Sequence, residues 1–387
     1  MLRSGFFSLA LAGVVALGLV GCASDSPDST VRRQKPTCDR NASTAAALTR
    51  EFAAATAGQT ICLAPGKYGT FRAGSKPGVV TVRPQPGANA SMALDFEPAV
   101  NVRVDGMTVT NANIAGRSRN LTIANSTFTG IAVVNAEQMV NANVVFDGNT
   151  HADIDTCTAC YAGRLHIEGN SGRPSGVVVA NSVFSGGNSD GVRADADSVE
   201  IRGNEFFGIR DQDPFHTDPI QIYGGTRTVI RGNYFHDLHV SAAIMMADGG
   251  THNLVEDNVV APGGHTWALT WYSDNGSIIR HNTFADGKCD FDNLCGIINL
   301  GAKPGEPVGH GTIIRDNVLG GISYPGGDAG RIFTADNNLS RDAIPGVRNV
   351  IGLPTYVGPT DRYSGYRLAP GSLGERDASD GSDSGIR

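Results

Sequence analysis

Ionisable and polar side chains crowd one short stretch of this 387-residue chain. The stretch holds Asp190, Arg193, Asp195, His216, Asp218, Gln221 and Tyr223, in and around the segment GIRDQDPFHTDPIQIYGG. Imidazole, phenol and carboxylate groups can transfer protons, and an arginine or a bound cation can neutralise an acidic substrate. We therefore expect a catalytic site here, built on His216, Asp218, Asp190 and Arg193.

One reaction open to these groups is β-elimination, or the related C5 epimerisation, of a uronic-acid polymer. It requires a base for the proton next to a carboxylate and a positive group that neutralises this carboxylate. His216 or Tyr223 would be the base, and Arg193 would neutralise the carboxylate. Calcium could take the place of the arginine, with Asp190, Asp195 and Asp218 as its ligands.

Paired carboxylates would support a different reaction, the hydrolysis of a glycosidic bond. Asp190 and Asp218 occupy the same position in adjacent repeats and should stack about 5 Å apart. A third alternative is a protein without catalysis, which binds a surface glycan or acts as a scaffold. The concentration of titratable groups favours an enzyme, and a lyase before a hydrolase.

Two short segments resemble motifs of known enzymes. DPFHTD is similar to the Asp-Pro-His motif of mannuronan C5-epimerases, with Phe215 interposed. That resemblance implies a uronate polymer as substrate. Asn188-Ser189-Asp190-Gly191, followed by Asp218, is similar to the polygalacturonase pattern, in which Asn-Thr-Asp precedes a pair of aspartates. Pro219 stands where the second aspartate of that pair would be, and this resemblance implies hydrolysis.

An asparagine repeat indicates the elements that position these groups. Phrases such as IRGNEFF and IRDNVLG recur with asparagines at Asn204, Asn233, Asn258, Asn282, Asn317 and Asn337. A spacing near 24 residues that tolerates insertions is typical of one supersecondary unit stacked on itself. The β-branched residues and turn residues predict short strands, so we expect a parallel β-solenoid. Stacked asparagines would form a side-chain ladder at one corner.

Alternation along the strands predicts which side chains face outward. The residues expected to point inward are Val192, Ala194, Ile220, Ile222, Ile244, Met246, Leu269 and Trp271. One outward column comprises Arg193, Gln221, Met245, Thr270 and Asn299, and a second comprises Asp195, Tyr223 and Tyr272. The predicted substrate-binding residues are Gln221, Tyr223, Asp195, His239, His265 and Tyr272, along a groove that suits a polysaccharide.

The start of the repeat region predicts a cap. Residues 43–57 form an amphipathic helical pattern with Ser43 or Thr44 as N-cap, followed by GQTICLAPGKYG. This opening resembles secreted proteins of the pectate lyase-like superfamily, over roughly residues 59–340. The resemblance implies an all-β, right-handed parallel β-helix of about ten coils. We expect the β-helix domain at 38–345, a cap or extension at 346–375 and a disordered acidic tail at 376–387.

The N-terminus reads as a targeting segment. Arg3 precedes an apolar run that ends at Leu19-Val20-Gly21-Cys22, which resembles the lipobox of bacterial lipoproteins. The resemblance implies a signal peptide at 1–21, lipidation of Cys22 and anchoring to a membrane outside the cytoplasm. Residues 22–37, rich in Ser, Asp and Pro, would form a flexible tether.

The remaining cysteines and the net charge limit the partners. Proximity pairs the six cysteines as Cys38–Cys62, Cys157–Cys160 and Cys289–Cys295, which suits an oxidising compartment. A net charge of −7 without a basic stripe argues against nucleic acid. We expect a monomer that uses no certain cofactor, with calcium as the candidate.

Overall fold

The computed structural model describes residues 37–155, 163–169, 172–211, 216–287 and 295–387. The predicted signal peptide, the lipidation site at Cys22, nearly all of the tether and the Cys157–Cys160 pair lie outside these residues. Cys289 also lies outside them, so its pairing with Cys295 stays a prediction. Among the described residues, no helix is long and apolar enough to cross a membrane.

Parallel strands from successive coils stack, as the repeat predicts, into one sheet of 13 strands and one of 21. The larger one divides after Thr108–Ile114, and its two branches are described as sheets 2 and 3. Sheet 1 contains Arg40–Ala42, Thr60–Leu63, Ser75–Pro84, Val100–Asp105, Arg119–Ala124, Val144–Asp147, Val177–Ala180, Glu200–Arg202, Val229–Arg231, Leu254–Glu256, Ile278–Arg280, Thr312–Arg315 and Phe333–Asp336. Its 13 strands exceed the ten or so coils expected, because the first coils carry no asparagine phrase to mark them.

The other two sheets divide the rest of each coil. Sheet 2 follows the asparagine corner with Thr127–Phe128, Thr150–Ala152, Val183–Ser185, Glu205–Phe207, Tyr234–His236, Val259–Val260, Thr283–Phe284, Val318–Leu319, Leu339–Ser340 and Val350–Ile351. Sheet 3 contains Ala132–Asn135, Leu165–Glu168, Val192–Ala194, Ile220–Ile222, Ala242–Met246, Trp267–Tyr272, Ile297–Gly301 and Gly321–Ser323. Near the N-terminus, Gly66–Phe71, Ala90–Phe96 and Thr108–Ile114 precede the split into these two sheets.

The asparagine ladder forms at the corner between sheets 1 and 2. From Asn233 onward, each side-chain oxygen of the ladder accepts the backbone N–H and the amide N–H of the preceding asparagine; from Asn233 to Asn258 these distances are 3.1 and 2.9 Å. The same amide nitrogen donates to a strand carbonyl of the coil before, as Asn233 does to Ile201. The ladder therefore pairs polar groups that would otherwise be buried without partners.

At its C-terminal end the ladder differs from the prediction by one residue. Asn317 pairs with Asn338, not with Asn337, and Asn338 continues the ladder to Asn349. Asn337 instead takes a left-handed backbone, with φ of 56°, at the corner position where other coils place Gly203 or Gly232. Both positions tolerate asparagine, so the repeated letters alone misplace the register.

The interior follows the predicted alternation. All eight residues expected to point inward are buried. Beneath sheet 2 a column of stacked rings includes Phe128, Phe184, Phe206 and Phe235, with His151 between the first two at centroid distances of 4.3 and 4.6 Å. Burial, and secondarily the nearby Arg164, lowers the pKa of His151 to about 3, so this ring is neutral.

The N-terminal cap agrees with the prediction. Its helix runs from Ala45 to Ala54, with the Thr44 side chain accepting the N–H of Ala47, and Phe52 packs edge-on against Phe71. The predicted Cys38–Cys62 disulfide is present. Two shorter helices lie at Ala329–Ile332 and, as a 3₁₀ turn, at Tyr363–Tyr366.

Residues 376–387, which the sequence analysis expects to be a disordered tail, have defined contacts in the structure. The tail packs against the outer side of sheet 2, where Ile386 is buried near Val259 and its N–H donates to the Thr283 hydroxyl at 3.1 Å. Arg387 forms an ion pair with Asp257 at 2.8 Å. Acidic, serine-rich composition predicts disorder only when the segment has no apolar surface and no polar partners to meet.

The corrected register can be tested with adjacent asparagines. Asn338→Ala removes a buried amide and leaves ladder groups unpaired, so we expect the free energy of unfolding to fall by about 1–3 kcal/mol. Asn337→Gly suits the positive φ and should cost less than about 1 kcal/mol. Urea denaturation of both variants measures the difference, and an equal or larger loss for Asn337→Gly would contradict the register.

The buried histidine predicts a pH dependence of stability. The folded-state pKa of His151, about 3, lies below its ordinary value, so its contribution is complete above the unfolded pKa and is lost as the pH falls below it. The loss approaches about 1.4 kcal/mol per pH unit. We expect His151→Phe to reduce the slope of unfolding free energy between pH 6.5 and 4.5. His310→Gln, at an exposed position, should leave that slope unchanged.

Candidate functional site

Strand register confirms the first predicted outward column. Cα pairing aligns Arg193 with Gln221, Met245, Thr270 and Asn299 in successive strands of sheet 3. Much of the column is nevertheless shielded from solvent, and Met245 packs with Tyr223 and Trp267. The register also places His166 beside Arg193, at the N-terminal end of the site.

Asp190 and Asp218 occupy equivalent turns just before their strands. Asp190 Oδ1 accepts the N–H of Asp218 at 2.9 Å, and Asp218 Oδ1 accepts the N–H of Ala242 at 2.9 Å. Asp218 is fully buried and Asp190 nearly so. The catalytic role predicted for both carboxyls therefore has little exposed carboxyl surface to support it. Asp218 is instead placed to act through a neighbour.

Burial dominates the electrostatics of this pair. It raises the pKa of Asp190 to about 6, although the Asp218 N–H and Arg193 oppose the shift. Burial, and then the charge of Asp190, raises the pKa of Asp218 well above its ordinary value. The two carboxyls are thus held in an environment that disfavours two full negative charges.

His216 lies in front of this pair with about half of its side chain exposed. Its Nε2 is 3.4 Å from Asp218 Oδ2, an oxygen that has no hydrogen bond of ordinary geometry among the described residues. The Gln221 amide nitrogen is 3.3 Å from the same Nε2, so Gln221, which is itself nearly buried, contacts the imidazole. His216, Asp218 and Gln221 therefore form one contact group.

A second group centres on Tyr223. The Arg193 guanidinium lies over the phenol ring, with its central carbon 4.2 Å from the centroid, and Lys303 Nζ lies 5.6 Å from it. Arg193 also pairs with Asp195 at 3.3 Å, and His166 approaches Asp195 at 3.4 Å. Burial, only partly offset by Arg193, raises the pKa of Tyr223 to about 12. The phenol is therefore protonated at neutral pH.

The predicted calcium site is not formed. Asp195 is engaged by Arg193 and His166, whereas Asp190 and Asp218 each direct an oxygen at a backbone N–H. Within the described ranges, no group of three or more His, Cys, Asp or Glu side chains could hold a metal ion. Asp190, Asp195 and Asp218 are thus not gathered around one point as a calcium site would require.

The remaining predicted binding residues lie in three different settings. Tyr272 is half-buried, with its hydroxyl 3.5 Å from the Asn299 amide. His239 is exposed and lines a cavity of about 490 Å³ with Arg210 and Asp237. His265, a predicted substrate ligand, is fully buried, and burial lowers its pKa to about 4. Strand alternation says nothing about residues outside strands, and His265 lies just before the strand Trp267–Tyr272.

Two site residues escaped the prediction. Lys303 reaches Tyr223 and Asp248 from a loop that follows a much later strand of sheet 3. His166 precedes the dense segment by one coil. Extending the predicted outward column by one strand toward the N-terminus would have included His166, which is the Cα partner of Arg193. No sequence pattern marks Lys303, because only the conformation of its loop brings its side chain close to Tyr223 in an earlier coil.

Comparison with known proteins decides the hand of the solenoid. The family described as right handed beta helix region matches residues 164–339. The chain is a right-handed parallel β-helix. No curated protein matches it in sequence.

Solved structures with TM-scores above 0.5 show the same fold at low identity. The PL6 family alginate lyase AlyGC matches with a TM-score of 0.55 and 14% identity, over 87% of this chain and 58% of the lyase. An arginine-to-alanine mutant of that enzyme matches with a TM-score of 0.52 and 15% identity, over 89% of this chain and 56% of its own. A PL6 family polysaccharide lyase from Pseudopedobacter saltans gives 0.46 and 12%, over 88% of this chain and 98% of its own. This β-helix therefore spans somewhat over half the length of AlyGC.

The raised pKa of Asp218 predicts a measurable stability effect. A carboxyl whose folded-state pKa is raised favours folding below its unfolded pKa, and this contribution is lost as the pH rises through the folded value. Asp218→Asn keeps an oxygen for the Ala242 N–H but cannot ionise. In the wild type, this effect lowers the free energy of unfolding by up to about 1.4 kcal/mol per pH unit above pH 4. We expect the Asp218→Asn variant to lack this decline.

Urea denaturation between pH 4.5 and 6.5 measures this slope. Asp195→Asn is the matched control, because burial raises its pKa but hydrogen bonds from His166 and Arg193 outweigh burial and leave it lowered. That variant should lose stability at the higher pH values. Identical slopes in the wild type and Asp218→Asn would contradict the buried-acid assignment.

Proposed function

We propose that this β-helix is a polysaccharide lyase that cleaves a uronic-acid polymer by β-elimination on the outer face of sheet 3. The observation that carries the proposal is the Arg193–Tyr223 stack beside the His216–Asp218 pair. Together they supply a cation, a protonated phenol and an imidazole within neighbouring coils. The fold-level similarity to PL6 lyases is consistent with this reaction but does not carry it.

His216 is the proposed base. In the proposed tautomer Nε2 carries the proton and faces the ionised Asp218 Oδ2 at 3.4 Å, with the Gln221 amide turned so that its oxygen faces this N–H. The lone pair then lies on Nδ1. Asp218 is a positioning residue in this scheme, since its side chain is completely shielded. Asp190 supports the same turn through its bond to the Asp218 N–H.

Arg193 and Lys303 are proposed to bind the substrate carboxylate. Neutralising that group makes the neighbouring C5 proton more acidic, which is the electrostatic requirement of the elimination. Both cations lie over the Tyr223 ring, and the Arg193 side chain retains a small exposed surface. Asp195 and Asp248 hold the two cations on this face of the coil.

Tyr223 is the proposed acid. Its phenol carries a proton at neutral pH because burial raises its pKa to about 12. In the elimination, His216 Nδ1 takes the C5 proton, the C4–O bond breaks and a C4–C5 double bond forms. The leaving oxygen receives the phenolic proton. In an epimerase, the same acid would return a proton to C5 instead, without cleavage.

Hydrolysis by the Asp190–Asp218 pair is less compatible with the geometry. A glycosidase needs both carboxyl groups at the scissile bond. Here each carboxyl has an oxygen bonded to a backbone N–H, and Asp218 has no exposed side-chain surface. We further propose, from the lipobox-like sequence alone, that the enzyme is anchored through Cys22 and acts outside the cytoplasm.

A panel of uronate-containing and neutral glycans tests the reaction class. Unsaturated uronate, detected by ultraviolet absorbance, indicates elimination, whereas new reducing ends without unsaturation indicate hydrolysis. Altered uronate stereochemistry without cleavage would identify an epimerase. Binding without any product would leave the glycan-binding alternative and would overturn the proposed lyase.

Two substitutions separate the proposed roles. His216→Ala should lower kcat/KM by about 100- to 10,000-fold, the usual contribution of a general base. Tyr223→Phe should lower kcat with little change in KM, because the ring that contacts Arg193 remains. His310→Ala, at an exposed position outside the site, is the control for both. Full activity of His216→Ala, with the fold intact by circular dichroism, would refute its role as base.

A further inference from the structure

A second polar cavity lies at the corner between sheets 1 and 2, on a different face from the candidate site. It has a volume of about 340 Å³. Its lining consists of Arg202, Gly203, Arg231, Gly232, Asp257, Tyr363 and Arg387. Three guanidinium groups therefore converge on one opening, in a protein whose net charge is −7.

Two of these arginines stack in register. Arg202 and Arg231 are Cα partners on adjacent strands of sheet 1, so their like charges lie side by side. Both approach the same oxygen, Glu200 Oε1, at 3.3 Å from Arg202 Nε and 2.6 Å from Arg231. Arg202 Nε is nevertheless buried without a hydrogen bond among the described residues, since its geometry toward Glu200 is poor. Because Arg202 and Arg231 share one carboxylate oxygen, both guanidinium groups keep N–H donors available for a ligand.

The C-terminal tail adds the third arginine. Arg387 binds both oxygens of Asp257, at 2.8 and 3.2 Å, and the Tyr363 hydroxyl donates to the Asp257 carbonyl at 2.6 Å. The three arginines of the lining pair with two carboxylates, Glu200 and Asp257, and the charges of Glu256 and Asp380 also act on Arg387. Each arginine side chain is also about 40–50% exposed, so its remaining N–H groups can reach a ligand.

We propose that this cavity is a binding site for an oxyanion: a sulfate, a phosphate or the carboxylate of an acidic sugar. Arginine donors in a fork arrangement match the paired oxygens of such groups. A bound oxyanion would offset the repulsion between Arg202 and Arg231. It would also bridge the coil to the tail through Arg387, so that ligand binding stabilises the packed tail.

Titration calorimetry on the full chain tests the site directly. The probes are sodium sulfate, sodium phosphate and sodium glucuronate, each measured against sodium chloride at equal ionic strength. Saturable binding of at least one probe is expected, and comparing the three distinguishes an inorganic anion from an acidic sugar. Arg231→Gln and Arg387→Gln should each weaken binding by roughly ten-fold or more.

Arg103→Gln is the matched control, because Arg103 is a sheet 1 arginine of similar exposure that pairs with Asp105 away from the cavity. It should bind the probes like the wild type. The proposal is overturned if no probe binds saturably, or if all three variants bind with wild-type affinity. Equal weakening in Arg103→Gln and Arg231→Gln would likewise overturn it, since that result reports general charge rather than this cavity. None of these outcomes depends on lyase activity.

Discussion

Coils of parallel strands can stack closely only if the polar groups at each buried corner keep their hydrogen bonds. The asparagine ladder meets this requirement. Each amide oxygen takes two N–H groups from the preceding corner, as Asn258 does from Asn233, and the amide nitrogen reaches a strand carbonyl. An unpaired buried amide would cost far more than the bond contributes. The ladder thereby sets the register of every coil from Asn204 to Asn349.

Register is what assembles the candidate site. Because each coil repeats the same turn, Asp190 and Asp218 stack, and Arg193 comes to lie beside Gln221. The spacing of 29 residues between Asn204 and Asn233, longer than the usual repeat, places His216 in front of the stacked carboxyls while the ladder continues. The asparagine ladder fixes the geometry of the coils, so the loop that contains His216 is free to present polar side chains. The same regularity places Tyr223 next to Arg193 one coil away, where a cation and a phenol share a face.

The outer side of sheet 2 shows a different consequence of the repeat. In several coils, the residue that directly follows the ladder asparagine is apolar and points outward. These residues are Tyr234, Val259, Val318 and Leu339. These side chains need cover, and the segment that follows the last coil supplies it through Tyr366, Leu368 and Ile386. The tail is thus held by apolar contact as well as by polar bonds, such as that of Ser379 to Asp316. Composition of the tail alone does not reveal this, because the complementary surface lies in the coils.

From the sequence alone, the period of the asparagine phrase and the alternation of apolar residues were enough to predict the parallel solenoid, the inward-facing core, the capping helix and the first outward column. Local chemistry repeated along the chain determines these features. The sequence could not decide whether Asn337 or Asn338 joins the ladder, because both corner positions accept asparagine. Nor could it show that His265 is buried, that Asp218 lies behind His216, or that Lys303 returns to Tyr223. Burial and loop path arise from contacts between distant coils, so only the tertiary structure determines them.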